Sequence, residues 1–356
     1  MLVPTRSITC GGFRHESHDV ALAMPIPSIT VRTPARLHLG LLRPGGPAAV
    51  RSGGLGIMID RPETVVRVTS CHGPENTVYA PDAGRIERWI EAWRQAYGIE
   101  SLPPFELEVV QSPPAHAGLG SGTQLALAAI RAMQAFADVP PLPILELARS
   151  LGRSRRSAVG TAGFEHGGLV YDAGSDDRWE SDRIDAEPIE LVSLPASWRF
   201  VLFVDRWNAG PSGDLERRLF EHLKEPSKRH VAALRQLAED AILPAVRRAD
   251  FGAFASAVDE FGRLAGACYR PLRSGAYNDE AALHRAAWLR SAGAPMAAQS
   301  SWGPTVFTAF PELESARHFV EQIRTFDDGG PWLQSTEVLV AGPSLHGMTM
   351  ESTALS

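Results

Sequence analysis

The sequence is short of cysteine. Cys10, Cys71 and Cys268 are the only three among 356 residues, and they stand far apart. They form no metal-type spacing, and their odd number leaves one unpaired in any disulfide scheme. A reducing compartment is therefore favoured, and a cytoplasmic location is expected. No apolar run approaches the roughly 20 residues that span a bilayer. Residues 1–28, MLVPTRSITCGGFRHESHDVALAMPIPS, also lack the continuous apolar stretch of a secretory signal, and are read as a disordered N-terminal extension. Positive charge is not in excess. The net charge of -6 argues against a general nucleic-acid or anionic-membrane binder, and there is no helix pair or basic stripe of the kind a DNA-binding regulator needs. Also missing are the Lys-Ser/Thr pair of a Walker A loop and the GxGxxG spacing of a dinucleotide fold.

What remains is the profile of a globular chain, with 44% hydrophobic and 21% charged residues. Its length favours two domains. SITVRTPARLHLGLL reads as two short extended pieces around Pro34, followed by a Gly/Pro-rich turn, RPGGPAAVRSGGLGIMI, and a strand in ETVVRVTS. RIERWIEAWRQAYG is an amphipathic helix with Ile86, Ile90, Trp93 and Tyr97 at helical spacing and Gly98 as its stop. FELEVV alternates as a half-buried strand. LPILELARSLG is a second helix, and residues 174–190 read as an acidic surface excursion. WRFVLFVD opens a second domain near residue 196, with helical segments at roughly 214–240 and 242–268, then strand, helix and the last strand TEVLVA. The expected class is α+β, divided at 29–195 and 196–345, with 346–356 as a flexible tail.

The informative stretch is SPPAHAGLGSGTQLALAAIRAM, residues 112–133. Ser121 followed by Gln124 fits a capping box, so a helix is expected to begin at Ser121. Gly118, Gly120 and Gly122 let a ligand approach the main chain. Free N–H groups at the positive end of the helix make an anion site. One glycine usually suffices for a turn, and three in five residues point to a phosphate loop. The residues by themselves name no reaction.

The loop PPAHAGLGSGTQLA between a strand and a helix resembles the second motif of the GHMP superfamily, to which galactokinase, homoserine kinase and mevalonate kinase belong. TPARLHLG resembles that superfamily's first motif, SAVGTAGFEHGG its S-G-x-D stretch, and APMAAQSSWGPTVFTAF stands where its third motif falls. The resemblance implies a GHMP-kinase-like two-domain fold, with an N-terminal domain like domain 2 of ribosomal protein S5 and a ferredoxin-like C-terminal domain. Two departures bear on function. Gly160 falls where many of these kinases hold a catalytic aspartate, and a glycine accepts no proton. Arg36 falls on the first-motif lysine of the mevalonate-kinase branch, and a guanidinium is a poor proton shuttle.

RLHLGLL, GLGSGTQLALA, GRSRRSAVGTAGFEHGGLVYDAG and SSWGPT together resemble one branch, the β-ribofuranosylaminobenzene 5'-phosphate (β-RFAP) synthase family. That resemblance implies a pentosyltransferase of methanopterin-type cofactor biosynthesis. It condenses 5-phosphoribosyl 1-diphosphate with 4-aminobenzoate, or 4-hydroxybenzoate, and releases CO2 and diphosphate. It implies Mg2+ as cofactor and small-molecule partners only, with neither nucleic acid nor membrane, and it allows a homodimer. The usual phosphoribosyl-diphosphate loop is not visible, since the only Asp-Asp, Asp176-Asp177, runs into RWESD.

On this reading Gly118, Leu119, Gly120, Ser121, Gly122 and Thr123 cradle the diphosphate, and Ser121 contacts Mg2+ by analogy with the kinases. Arg36 and His38, two apart on a strand, share one face and grip phosphate or carboxylate. Arg153, Arg155 and Arg156 hold the 5'-phosphate. Glu165 and His166 are a titratable pair in a glycine-rich stretch and join Arg36 and His38 as catalytic candidates. Gly160, Ser300, Ser301, Trp302 and Gly303 line the benzoate pocket, with the indole stacking on the ring. An ATP-dependent small-molecule kinase and a non-catalytic binder of phosphorylated ligands are the alternatives.

Overall fold

The computed structural model describes residues 28–45, 51–71, 73, 76–174, 189–205, 218–269, 280–300, 303–325, 330–334 and 336–353. The first unit contains β1 (Ser28–Leu41), β2 (Gly54–Ser70), β3 (Thr77–Tyr79), α1 (Ala83–Ala96), β4 (Phe105–Gln111), α2 (Ser121–Phe136), α3 (Ile144–Ser150), α4 (Val159–His166), β5 (Leu169–Asp172) and β6 (Ile189–Val192). The second begins with β7 (Arg199–Asp205). It continues through α5 (Lys228–Gln236), a π-helical turn (Leu237–Ile242), α6 (Leu243–Arg247), α7 (Phe251–Ala267), α8 (Glu280–Ser291), β8 (Ala298–Gln299), β9 (Val306–Phe310), α9 (Leu313–Arg324), α10 (Gly330–Gln334) and β10 (Thr336–Ala341). A last strand, β11 (Thr349–Thr353), returns to the first unit.

Two sheets result. The larger runs β11-β1-β2-β4-β3, with β5 on the second side of β2 and β6 on β5. The smaller runs β10-β7-β9-β8. Strand alternation decides what each face of β1 meets. Ala35, Leu37 and Leu39 join Phe254, Phe261 and Ala265 of α7 in the core that fuses the two units. Arg36 and His38, one residue out of phase, look the other way. Farther back, Val31, Val66 and Val68 pack with Trp89 and Trp93 of α1 and with α2, which is buried along nearly its whole girth.

The structure corrects several sequence expectations. Pro34 does not divide β1; the strand is continuous, and its register with β2 shifts between Thr33 and Ala35. A bulge is where a residue without an N–H can sit inside a ladder. The end of the Gly/Pro-rich turn, residues 54–59, is the start of β2, paired with both β1 and β5. SAVGTAGFEHGG is largely helical, as α4. Residues 349–353, expected in a flexible tail, pair antiparallel with β1 from Ser28 to Arg32. The N-terminal extension up to residue 27 and most of the acidic excursion, 175–188, lie outside the described residues.

Candidate functional site

The helix does begin at Ser121, but the expected capping box does not form. Gly120 is the N-cap, in the left-handed conformation at φ +73°, and no side chain caps the helix. Gln124 is instead buried. Its Oε1 accepts from the Thr33 hydroxyl, and its Nε2 donates to the Gly160 carbonyl at 2.8 Å. Magnitudes favour this choice. Leaving a buried carbonyl unsatisfied costs about 1–3 kcal/mol, while an exposed cap is worth about 1 kcal/mol. One glutamine thereby ties β1 and the first turn of α4 to the first turn of α2.

Three arginines converge on the start of α2 from two sides. Arg36 comes from β1, whose N–H at this residue donates to the Leu119 carbonyl at 3.0 Å. Its side chain crosses Gly120 and Gly160. A Cβ on Gly120 would lie 3.2 Å from Arg36 Cβ, and one on Gly160 would lie 3.0 Å from Arg36 Nη1. On the other side, a Cβ on Gly122 would lie 3.1 Å from Arg85 Nη2 and 4.0 Å from Arg153 Nη1. Both of these guanidinium carbons stand over the Trp89 ring, at 4.8 and 5.1 Å from its centroid. Arg153 is set by a stiff turn. Its N–H donates to Ala148 at the end of α3, Ser154 beside it has φ +60°, and the Ser154 hydroxyl bonds that of Thr161 at 2.5 Å. Free helix N–H groups facing cations on both flanks make a site for anions.

His38 lies deeper on the same face as Arg36. It is 3% exposed, its ring packs on Gly54, and its Nδ1 has no hydrogen-bond partner among the described residues. Burial, and next to it the charge of Arg36, hold its pKa well below the ordinary imidazole value, so it is neutral at pH 7. The second unit reaches the loop through Ser300. Its hydroxyl accepts from the His38 N–H at 3.0 Å and donates to the Gly118 carbonyl at 2.7 Å. Gly118 sits at φ +88°, and a Cβ there would collide with the Ser300 carbonyl; a Cβ on Gly303 would collide with the backbone of Ala117 and Gly118. Ser300 and Gly303 are thus engaged in joining the two units at the loop.

Of the residues singled out in the sequence, the structure brings together Gly118 to Thr123, Arg36, Gly160 and Arg153, with His38 beneath. It disperses others. Arg156 stacks on Phe220 at 3.5 Å, and Arg155 is exposed, its Nη2 near Gly152. Glu165 and His166 are exposed at the far end of α4, 3.6 Å from each other. Gly160, at the start of that helix, is about 8 Å away along the axis at 1.5 Å per residue. Ser301 and Trp302 lie outside the described residues. Sequence reading missed Arg85 and Trp89, which looked like ordinary positions of an amphipathic helix. It also missed Asp172. The buried carboxylate of Asp172, paired with Arg51 at 3.0 Å, accepts the Ala158 N–H at 2.7 Å and so anchors the start of α4.

This donor set fits an anion. Among the described residues no three His, Cys, Asp or Glu come together. No helix among them is long and apolar enough to cross a membrane.

Comparison with known proteins agrees with this architecture. Residues 85–168, which contain the loop, match the family model of the GHMP kinases N terminal domain. The fold is shared with mevalonate diphosphate decarboxylase from Staphylococcus aureus (TM-score 0.61, 17% identity, 92% of this chain and 98% of that one). It is also shared with homoserine kinase from Cytophaga hutchinsonii (TM-score 0.57, 16% identity, 91% and 97%). The molecule is therefore a two-unit α+β protein of the GHMP kinase fold. Sequence similarity narrows the class. β-Ribofuranosylphenol 5'-phosphate synthase of Methanothermobacter thermautotrophicus is 31% identical over 303 residues, 80% of this chain and 89% of that one. The protein of the same name from Archaeoglobus fulgidus is 29% identical over 263 residues, 68% and 82%. The chain belongs to this synthase family, the β-RFAP synthases.

Proposed function

We propose that this chain is a pentosyltransferase that joins 5-phosphoribosyl 1-diphosphate to a para-substituted benzoate, with loss of CO2 and diphosphate, in the synthesis of a methanopterin-type cofactor. The observation that carries the reading is the position of Arg36 over Gly160. Where the related kinases need a base, this chain offers a permanent cation. A kinase must take a proton from its acceptor; this reaction need not.

The diphosphate lies against the first turn of α2, where N–H groups and Arg36 stabilise the charge that develops as it departs. The C1–O bond breaks and its electron pair leaves with the diphosphate. The ring carbon bearing the carboxylate attacks C1, pushed by the para substituent. The new C–C bond forms, the carbon–carboxylate bond breaks, and its pair restores the aromatic ring. CO2 leaves from the position a proton would otherwise occupy. Neutral, buried His38 contributes position and a dry wall to this process, without charge. The relatives are named for a ribofuranosylphenol, which puts 4-hydroxybenzoate beside 4-aminobenzoate as the acceptor.

The test follows labelled CO2 from carboxyl-14C 4-hydroxybenzoate and 4-aminobenzoate, with 5-phosphoribosyl 1-diphosphate, with and without Mg2+. Parallel reactions contain ATP and candidate alcohols. Release that depends on the sugar diphosphate is expected. ADP formation without CO2 release would overturn the proposal in favour of a kinase.

A further inference from the structure

The loop is flanked by two separate cationic banks, and only one is used above. Arg36 covers the Gly120 and Gly160 side, while Arg85 and Arg153 reach the Gly122 side. We infer that Arg85 and Arg153, set over Trp89, form a second anion subsite that takes a phosphate monoester, distinct from the diphosphate position beneath Arg36. For the identity of the ligand, the sugar's 5-phosphate, this rests on the function proposed above; the existence of the subsite does not.

Two like charges are brought to the same glycine from different elements, the first turn of α1 and the turn after α3. Like charges repel, and an anion held between them offsets that repulsion. Among the described residues Arg85 pairs with no carboxylate, and its guanidinium lies over the Trp89 ring. α2 has no acidic residue in its first turn, where the helix dipole would favour one, and the N-cap of α1, Asp82, makes no side-chain cap bond. Gly122 keeps the space between the guanidinium groups and the helix backbone open, since a Cβ would crowd Arg85. A planar guanidinium suits the forked donation that a phosphate accepts.

The same geometry argues against a nucleobase here. Trp89 is 8% exposed and part of the α1–α2 core, and two guanidinium groups already stand over its ring. A ligand arriving at this bank meets cationic edges, with little aromatic face left to stack on. A phosphate bound here and a diphosphate bound by Arg36 would hold one sugar from both ends.

The test is calorimetric titration of the full chain with three probes separately: ribose 5-phosphate, inorganic diphosphate and ADP. Wild type is compared with Arg85→Gln, Arg153→Gln and Arg85→Lys, each checked by thermal melting. Either glutamine variant is expected to weaken ribose 5-phosphate about tenfold to a hundredfold, the range for hydrogen bonds to charged groups, with diphosphate changed less than about threefold. Arg85→Lys keeps the charge and loses the fork, so it should fall between; it also carries the test should a glutamine variant fail to fold. Equal losses for ribose 5-phosphate and diphosphate would overturn the inference in favour of one shared site. Unchanged ribose 5-phosphate binding, or none in the wild type, would overturn it too, as would a selective loss of ADP. Absence of labelled CO2 in the turnover assay would remove the synthase reading while leaving this binding result readable.

Discussion

The guanidinium of Arg36 lies against the open face of Gly160: a Cβ there would stand 3.0 Å from Nη1 and 3.7 Å from Cδ. The glycine makes room for the cation, and the cation excludes the base. Gly160→Asp would place a carboxylate beside Arg36. Opposite charges at about 4 Å attract by about 4 kcal/mol at an effective dielectric of 20, before desolvation is counted, enough to draw the arginine away from a substrate anion. The expected result is a loss of more than about tenfold in kcat/KM for the sugar diphosphate, about 1.4 kcal/mol or more, with folding retained and no kinase activity gained. Labelled CO2 release together with thermal melting checks it. Unimpaired turnover would show that Arg36 does not meet the substrate.

Gly118→Ala should destabilise the protein by more than about 1 kcal/mol, because alanine is strained at φ +88°. The added methyl also collides with the Ser300 carbonyl. Denaturant unfolding measures the loss. A variant as stable as wild type would mean that the loop and the second unit are not held together at this point.

Ser300→Ala separates two roles for this residue. It leaves the buried His38 N–H and Gly118 carbonyl without their shared partner, at a cost of about 1–3 kcal/mol. A fall in stability in the absence of any substrate is expected. An unchanged melt with a raised KM for the benzoate would return Ser300 to the pocket role read from the sequence.

His38 makes stability depend on pH in a defined direction. Its folded pKa is lowered by burial and then by Arg36, so below about pH 6.5 the unfolded chain takes up a proton that the folded chain refuses. Stability from this group is complete above that value and is lost as pH falls toward the folded pKa, by at most about 1.4 kcal/mol per pH unit. Unfolding free energies from pH 7.5 to 5 should fall less steeply in His38→Gln than in wild type. Parallel curves would show that His38 is not the group responsible.

The readable parts of this protein were those with local causes. The start of α2 at Ser121, the amphipathic α1 and the strands β4, β7 and β10 follow from turn chemistry and periodicity, which act within a few residues. The glycine-rich turn into α2 was legible for the same reason: glycines and a helix end are neighbours in the chain. Elements without a local signature were lost. The first half of β2 hid among glycines that are there to admit the His38 ring and Val159. The strand β11 exists because β1, more than 300 residues earlier, leaves it an edge to pair with.

By itself, then, the sequence determined the glycine-rich turn, the helix behind it and the family. The tertiary structure alone decided which side chains meet the loop. Arg153, Arg155 and Arg156 are nearly equivalent as text, yet one stands beside Gly122, one is exposed and one covers Phe220. Gln124 left its cap to satisfy the buried groups of Thr33 and Gly160. Arg85, some 37 positions before Gly122, became its neighbour because α1 and α2 bury their apolar faces against each other. Burial is non-directional and acts between whatever the chain brings together, so the partners of a charged side chain are set by packing and cannot be read from its neighbours in the chain.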